Sequence, residues 1–160
     1  MIRHIHGDAT RPVGEGNKII CHICNDIGKW GSGFVLAVSK RWKLPEQEYR
    51  KWFAGTSSTT PDPFKLGNVQ FVQVEKDIWI ANMIAQHDIR QNNPSLPPIR
   101  YAALETCLEK VAEKANELVA TIHGPKFGAD RAGGKWETIF KTIEHVSERH
   151  KVDVTIYLWK

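Results

Sequence analysis

Residues 18–24 limit this chain more than any other segment. Lys18-Ile19-Ile20-Cys21-His22-Ile23-Cys24 is short and apolar almost throughout, which reads as a buried strand. The strand breaks at Gly28-Lys29-Trp30-Gly31-Ser32-Gly33, and from Phe34 to Trp42 the pattern turns helical, with Phe34, Leu36, Ala37 and Val38. A buried strand that runs through a glycine turn into a helix is a building unit of α/β folds.

The rest of the chain repeats that alternation. Residues 1–6 read as a first strand, broken by Gly7-Asp8-Ala9-Thr10. A second helix starts at Pro45, with Glu46 and Glu48 in its first turn, where proline and acids fit. Residues 56–63 are a polar surface loop, and residues 67–75 and 77–84 read as two strands around a tight turn. A loop spans residues 88–98. Then Leu104, Leu108, Val111, Ala115 and Leu118 step by three and four along a helix. Residues 118–123 read as a fifth strand, 135–150 as a helix and 152–159 as a last strand. The expected fold is a three-layer α/β sandwich: a mixed sheet of about six strands with helices on both faces.

At 160 residues the chain is long enough for one domain with a real core, so residues 1–160 are expected to form a single domain. No apolar run approaches the ~18–20 residues of a membrane span, and Met1-Ile2-Arg3-His4-Ile5-His6 lacks a secretory signal's apolar stretch. A cytoplasmic protein, monomeric and without membrane contact, is expected. The three cysteines argue against a disulfide framework. Cys21 and Cys24 have CxxC spacing, but along a strand they point to opposite faces, so they read as small buried residues and not as a metal pair. No histidine spacing suggests a metal site, and no cofactor is expected. The formal charge of +4 is spread along the chain. It suits an anionic ligand such as a diphosphate and does not require nucleic acid.

Three loops stand where strands end, the place where α/β sheets gather ligands. The first holds Asp8, which could accept from an exocyclic amine or simply shape a turn. The second, residues 25–34, carries three glycines into a helix N-terminus whose free N–H groups suit phosphate. The third, residues 125–136, is also glycine-rich and also opens a helix. Two such loops suggest one anion clasped from two sides.

The order of these motifs resembles the macro domain family: Gly7-Asp8 after the first strand, Asn25 and then Gly31-Ser32-Gly33 before a helix, and Pro125-Lys126-Phe127-Gly128 followed by Ala132-Gly133-Gly134-Lys135-Trp136. The likeness is greatest to the branch of terminal ADP-ribose protein glycohydrolase and its bacterial relatives, through residues 21–37 and Asn82-Met83-Ile84-Ala85-Gln86-His87. The resemblance implies an ADP-ribose site and partners that are ADP-ribose or ADP-ribosylated proteins. Asp8 would bind the adenine amino group, with Ala9 contributing backbone. Trp30, Gly31, Ser32, Gly33, Phe34 and Val35 would wrap the diphosphate and distal ribose, and Asn25 would face that ribose. Gly128, Ala129, Asp130, Arg131 and Ala132 would cover the diphosphate from the other side. Tyr157 would flank the adenine or serve as a core aromatic, and the same choice stands for Trp159.

Departures from the family pattern bear on chemistry. Relatives carry Gly-Leu where this chain has Asp130-Arg131. The glycohydrolase's attacking lysine belongs to the segment matching Gln86-His87, which has none, and its late-loop Asp falls at Ala132. A lysine adduct is therefore not implied, and hydrolysis would proceed through water. Asp26 and Asp130 are the candidate carboxylates, His87 the candidate acid or base, and Gln86 a candidate to orient water. Asp26 could equally cap a turn, His87 fill space, and Asp130 pair with Arg131. The leading expectation is a hydrolase that removes ADP-ribose from Glu- or Asp-modified proteins. The alternatives are a non-catalytic ADP-ribose reader and a phosphatase acting on ADP-ribose 1″-phosphate.

Overall fold

The computed structural model describes residues 1–88, 98–129 and 133–159. The sequence-derived candidates Asp130, Arg131 and Ala132 lie outside these residues. The element order is β1 (Ile2–His6), β2 (Asn17–Asn25), α1 (Phe34–Arg41), α2 (Leu44–Ala54), β3 (Val69–Glu75), β4 (Ile78–Gln86), α3 (Tyr101–Leu118), β5 (Ala120–Pro125), α4 (Trp136–His150) and β6 (Val154–Leu158). One six-stranded sheet runs in the order β1-β6-β5-β2-β4-β3. Every neighbouring pair is parallel except the β3–β4 hairpin. This is the mixed sheet expected from the alternating pattern.

β2 sits inside the sheet, paired with β5 on one side and β4 on the other. Its apolar run is buried twice, and the period of two sorts its residues between layers. Ile19 and Cys21 pack with Leu104, Leu108 and Val111 of α3 and Ile139 and Ile143 of α4. Ile20 and Cys24 pack with Val35 and Val38 of α1 and Tyr49 and Trp52 of α2. Helices therefore cover both faces, and the two cysteines of the CxxC spacing lie in opposite layers. Cys21, Cys24 and Cys107 are free and buried. No helix among the described residues is long and apolar enough to cross a membrane.

Several strand ends differ from the sequence reading by one or two residues, and two of them bear on the site. β4 continues through Gln86, past the expected 84, and β5 continues through Pro125, past the expected 123. Polar Gln86 and the pair Gly124-Pro125 carry no apolar signal. They remain strand because their partners β2 and β6 are still there to hydrogen-bond.

Two buried histidines tie the layers together. His22 Nε2 meets Asn82 Oδ1 at 2.5 Å. Asn82 spends its N–H groups on Pro45 O and Gln70 Oε1, so its oxygen accepts and His22 donates. Gln70 then donates to Glu48 O and Thr60 Oγ1, carrying the chain of bonds out to α2. On the other side of the sheet's centre, Val13 N–H donates to Tyr157 Oη. Tyr157 O–H therefore donates to His123 Nδ1 at 2.8 Å, and His123 Nε2–H reaches Thr121 Oγ1 at 2.6 Å. Burial holds both imidazoles neutral, lowering His22 to about 4 and His123, helped by Lys18 and Arg3, also to about 4.

That depression fixes a pH dependence. Above pH ~6.5 both rings are neutral folded or unfolded, so neither affects stability. Below it the unfolded chain binds two protons that the fold refuses, so stability falls as pH drops toward about 4. Urea unfolding between pH ~6 and ~4.5 should lose about 2–3 kcal/mol per pH unit, and His123→Asn should remove about half of that slope. A slope unchanged by the substitution would mean His123 is protonated in the fold.

Candidate functional site

β2, β4, β5 and β6 point the same way or nearly so in the sheet, and their carboxyl ends open on one side. A cleft of about 940 Å³ lies there, at the upper end of the size of ligand pockets. One wall is residues 30–35, the end of the glycine loop and the start of α1. The opposite wall is residues 125–129. The floor carries Asn25 and Gln86 from the strand ends, with Tyr157, Leu158 and Trp159 at the β6 side. No carboxylate is among the described residues that line it.

The α1 wall is built for an anion. Gly33 is the helix N-cap at φ 91, a backbone conformation that side chains rarely adopt, and no side chain caps the helix. Leu36 N–H turns back to Gly33 O at 3.0 Å, which leaves the Phe34 and Val35 N–H groups, with the positive end of the helix dipole behind them, to the cleft. Beneath the loop, Trp30 is 5% exposed and donates its indole N–H to Val35 O at 3.1 Å and Ser39 Oγ at 2.7 Å. Trp30 thus braces the loop against the helix that follows.

The second wall uses close backbone approach. A Cβ on Gly128 would fall 2.6 Å from Ile99 Cδ1 and 2.8 Å from Ile23 Cδ1. Gly134 N–H donates to Gly128 O at 2.7 Å, closing the ends of the loop on each other. The α4 N-terminus has no side-chain cap either, but its described bonds differ from those at α1. Lys135 N–H donates to Tyr101 Oη at 3.0 Å, and neither Trp136 nor Glu137 is among the cleft's described lining. Gly128 and Ala129 line the cleft themselves.

Asn25 organises the join between strand and loop. Its Oδ1 accepts from Ile27 N–H and Lys29 N–H, each at 3.1 Å, and lies 2.9 Å from Tyr49 Oη. Its Nδ2 donates to Lys29 O. Asn25 lines the cleft, but these bonds run to the loop backbone and to α2, so its amide shapes the site and is not free to meet a ligand squarely. Tyr49, fully buried on α2, also reaches Asn25 O at 2.7 Å. Its role was not legible in the sequence, where Tyr49 is simply an aromatic within the second helix.

The fold brings two candidate catalytic residues together across 61 positions of chain. His87 Nδ1 lies 2.7 Å from Asp26 Oδ2, just past the ends of β4 and β2. Asp26 Oδ1 accepts from Asp88 N–H at 2.8 Å, and Asp26 N–H donates to Gln86 O at 3.0 Å. The carboxylate accepts only, so His87 Nδ1 carries the proton and Nε2 is left as a base on a ring that is 56% exposed. Gln86 donates to Asp88 O at 2.8 Å and lines the cleft. Asp26 and His87 follow directly on the lining residues Asn25 and Gln86.

The adenine-side candidates divide. Asp8 Oδ1 accepts from Thr10 N–H at 2.9 Å and Thr10 O–H at 2.7 Å, so half of its carboxylate holds a turn. Asp8 lines a hollow next to the cleft, and Ala9 is 3% exposed. Tyr157 lines the cleft but is 3% exposed, its hydroxyl committed to His123 and Val13. Trp159 is 79% exposed and borders both cavities, which overturns the core reading for that residue.

The Asn25 hub predicts graded losses. Tyr49→Phe should cost about 1 kcal/mol and Asn25→Ala about 2–3 kcal/mol in urea unfolding. Asn25→Ala should also speed hydrogen exchange at the Ile27 and Lys29 amides, and unchanged exchange there would show that the loop holds itself.

No protein-family model matches the chain. Among solved structures it is similar to a Bacteroides thetaiotaomicron protein of unknown function, 47% identical, covering 99% of this chain and 98% of that one with a TM-score of 0.91. It is also similar to a macrodomain protein from Streptomyces coelicolor, 45% identical, covering 98% of both chains with a TM-score of 0.83. Among curated proteins, mouse chromodomain-helicase-DNA-binding protein 1-like is 31% identical over 92% of the chain, and the chain spans only 17% of that protein's length. The ADP-ribose 1″-phosphate phosphatase of Candida albicans is 24% identical over 94% of this chain and 96% of its own. With a macrodomain protein nearly half identical from end to end, and the sheet order, glycine loops and strand-end cleft in place, the chain belongs to the macrodomain family.

Proposed function

We propose that the cleft binds ADP-ribose and that the protein hydrolyses the ester joining ADP-ribose to glutamate or aspartate side chains. The observation that carries the binding is the uncapped α1 N-terminus behind Gly33, facing a cleft whose described lining holds no carboxylate. A diphosphate seated there meets backbone N–H groups and a helix dipole, and no carboxylate among the described lining residues opposes it. The similarity to a phosphatase of ADP-ribose 1″-phosphate supports the same ligand class. The distal ribose then extends toward Asn25 and Gln86, and so toward the Asp26–His87 pair.

The chemistry asked of that pair is modest. The C1″–O bond lengthens and its electron pair leaves with the carboxylate, which needs no added proton near neutral pH. Cation-like charge grows on the sugar, and the bound diphosphate offsets part of it. A water molecule attacks C1″ and gives its proton to His87 Nε2, while Asp26 holds the imidazole in the tautomer that can accept it. Gln86 supports the water from the lining. The second reading, a binder without turnover, is favoured by the same lack of carboxylates along the described cleft.

Release of ADP-ribose from a protein modified on Glu or Asp separates these. Turnover should fall about 100-fold or more in His87→Ala and Asp26→Asn with ADP-ribose affinity within a few fold of the parent. Gly33→Glu should weaken ADP-ribose binding by about 100-fold or more, since it places a carboxylate at the anion site and strains the backbone. Binding without release would make the protein a reader. Phosphate release from ADP-ribose 1″-phosphate alone would make it a phosphatase.

A further inference from the structure

The second wall of the cleft carries a charge that has no task in the chemistry above. Lys126 is the one residue with a fixed charge among the described residues that line the cleft. It follows directly on β5, in the wall opposite the start of α1. Phe127 N–H donates to Pro125 O at 2.7 Å, so the turn around Lys126 is tight, and Phe127 is buried in the core beneath it. The backbone of Lys126 is thus held in place while its side chain is exposed.

The ammonium rests on an aromatic face. Lys126 Nζ lies 5.3 Å from the centre of the Trp136 ring, and Trp136 is not among the described residues lining the cleft. Trp136 is packed in turn by Phe127, Phe140 and His4, with ring centres 6.5, 6.0 and 6.4 Å away. It is a braced platform at the rim. Lys126 has no ion pair among the described residues, so the ring face is what holds its charge there. An exposed ammonium on an aromatic face is weakly held, and a hydrogen bond from an ammonium to a phosphate is stronger. Lysine also carries its charge on a flexible four-carbon stem, so the head can move while the backbone stays.

A diphosphate presents two charged groups. The Phe34 and Val35 N–H groups serve the α1 side, and on the other wall Lys126 is the charged donor among the described lining residues. Resting on the ADP-ribose reading of the cleft, we propose that Lys126 grips the ligand: its ammonium leaves Trp136 on binding and closes on the diphosphate from the wall opposite α1. Trp136 holds the cation at the rim in the free protein, and that contact slightly opposes binding.

Calorimetry with ADP-ribose on the full chain tests the grip. In about 20 mM salt Lys126→Ala should weaken binding about tenfold and Lys126→Arg by no more than about threefold, and the loss in Lys126→Ala should shrink toward parity in about 300 mM salt. Lys141→Ala removes the same charge from the exposed side of α4 and should leave the Kd unchanged. Trp136→Leu keeps the cation and removes its resting place, so binding should hold or tighten by up to about threefold, with thermal unfolding to check that the variant is folded. A second readout needs no substitution at Trp136. In protein labelled with ¹³C-lysine, the Lys126 εCH₂ protons, assigned by their absence in Lys126→Arg, should be shifted upfield by the ring and return to the ordinary lysine position as ADP-ribose saturates. ADP-ribose binding that ignores Lys126→Ala, or a Lys126 signal that stays upfield at saturation, would overturn the grip and leave the cleft reading standing. So would an equal loss in Lys141→Ala, or a tenfold loss in folded Trp136→Leu. No ADP-ribose binding by the parent protein would overturn the cleft reading and the grip with it.

Discussion

The end of β2 is the point on which the site depends. There the strand's register shifts between Cys24 and Asn25, and the Asn25 side chain takes over the backbone bonds that pairing no longer supplies. Its oxygen gathers two loop N–H groups, and Tyr49 holds it from α2. Buried backbone N–H groups need partners, so the loop can leave the sheet sharply only because one amide stands in for a strand. Everything downstream takes its place from that turn: the Trp30 brace, the Gly33 cap and the exposed start of α1.

The site works largely by omission. Gly33 replaces a capping side chain, and its φ of 91 closes that position to most substitutes. The described lining of the cleft carries no carboxylate, and Asp26, which follows the lining residue Asn25, is tied to His87 and Asp88. Buried His22, held neutral beneath Trp30 and Phe34, adds polarity to the floor without charge. An anion entering this space is met by dipoles, which do not reorganise, and by no carboxylate among the described lining residues.

The layers were legible because burial imposes periods. Alternation along 18–24 assigned Cys21 and Cys24 to opposite faces, and the three-four spacing of Leu104 to Leu118 marked the stripe that α3 buries. Glycine loops at strand ends located the cleft walls. What stayed hidden depends on which strands are neighbours. Asp26 and His87 meet only because β2 and β4 pair in parallel with Asn25 opposite Gln86, and no local pattern states that pairing. The Tyr49 anchor is hidden for the same reason: its partner is 24 residues away on another element. At the start of α4, Gly134 closes on Gly128 and the Lys135 N–H donates to Tyr101, 34 residues away in the chain, and the Gly133-Gly134 pair announces neither bond.

The strand order places β1 at an edge where its one partner among the described strands is β6, with Ile2 beside Val154 and His6 beside Leu158. That pairing joins segments about 150 residues apart, a loop closure that costs about 4 kcal/mol in chain entropy. A chain growing on the ribosome holds β1 without a partner until the residues of β6 have emerged. The interior strands can assemble earlier, because β2 needs only β4 and β5. The topology therefore lets this sheet assemble outward from the middle, with its first-made strand waiting for the last.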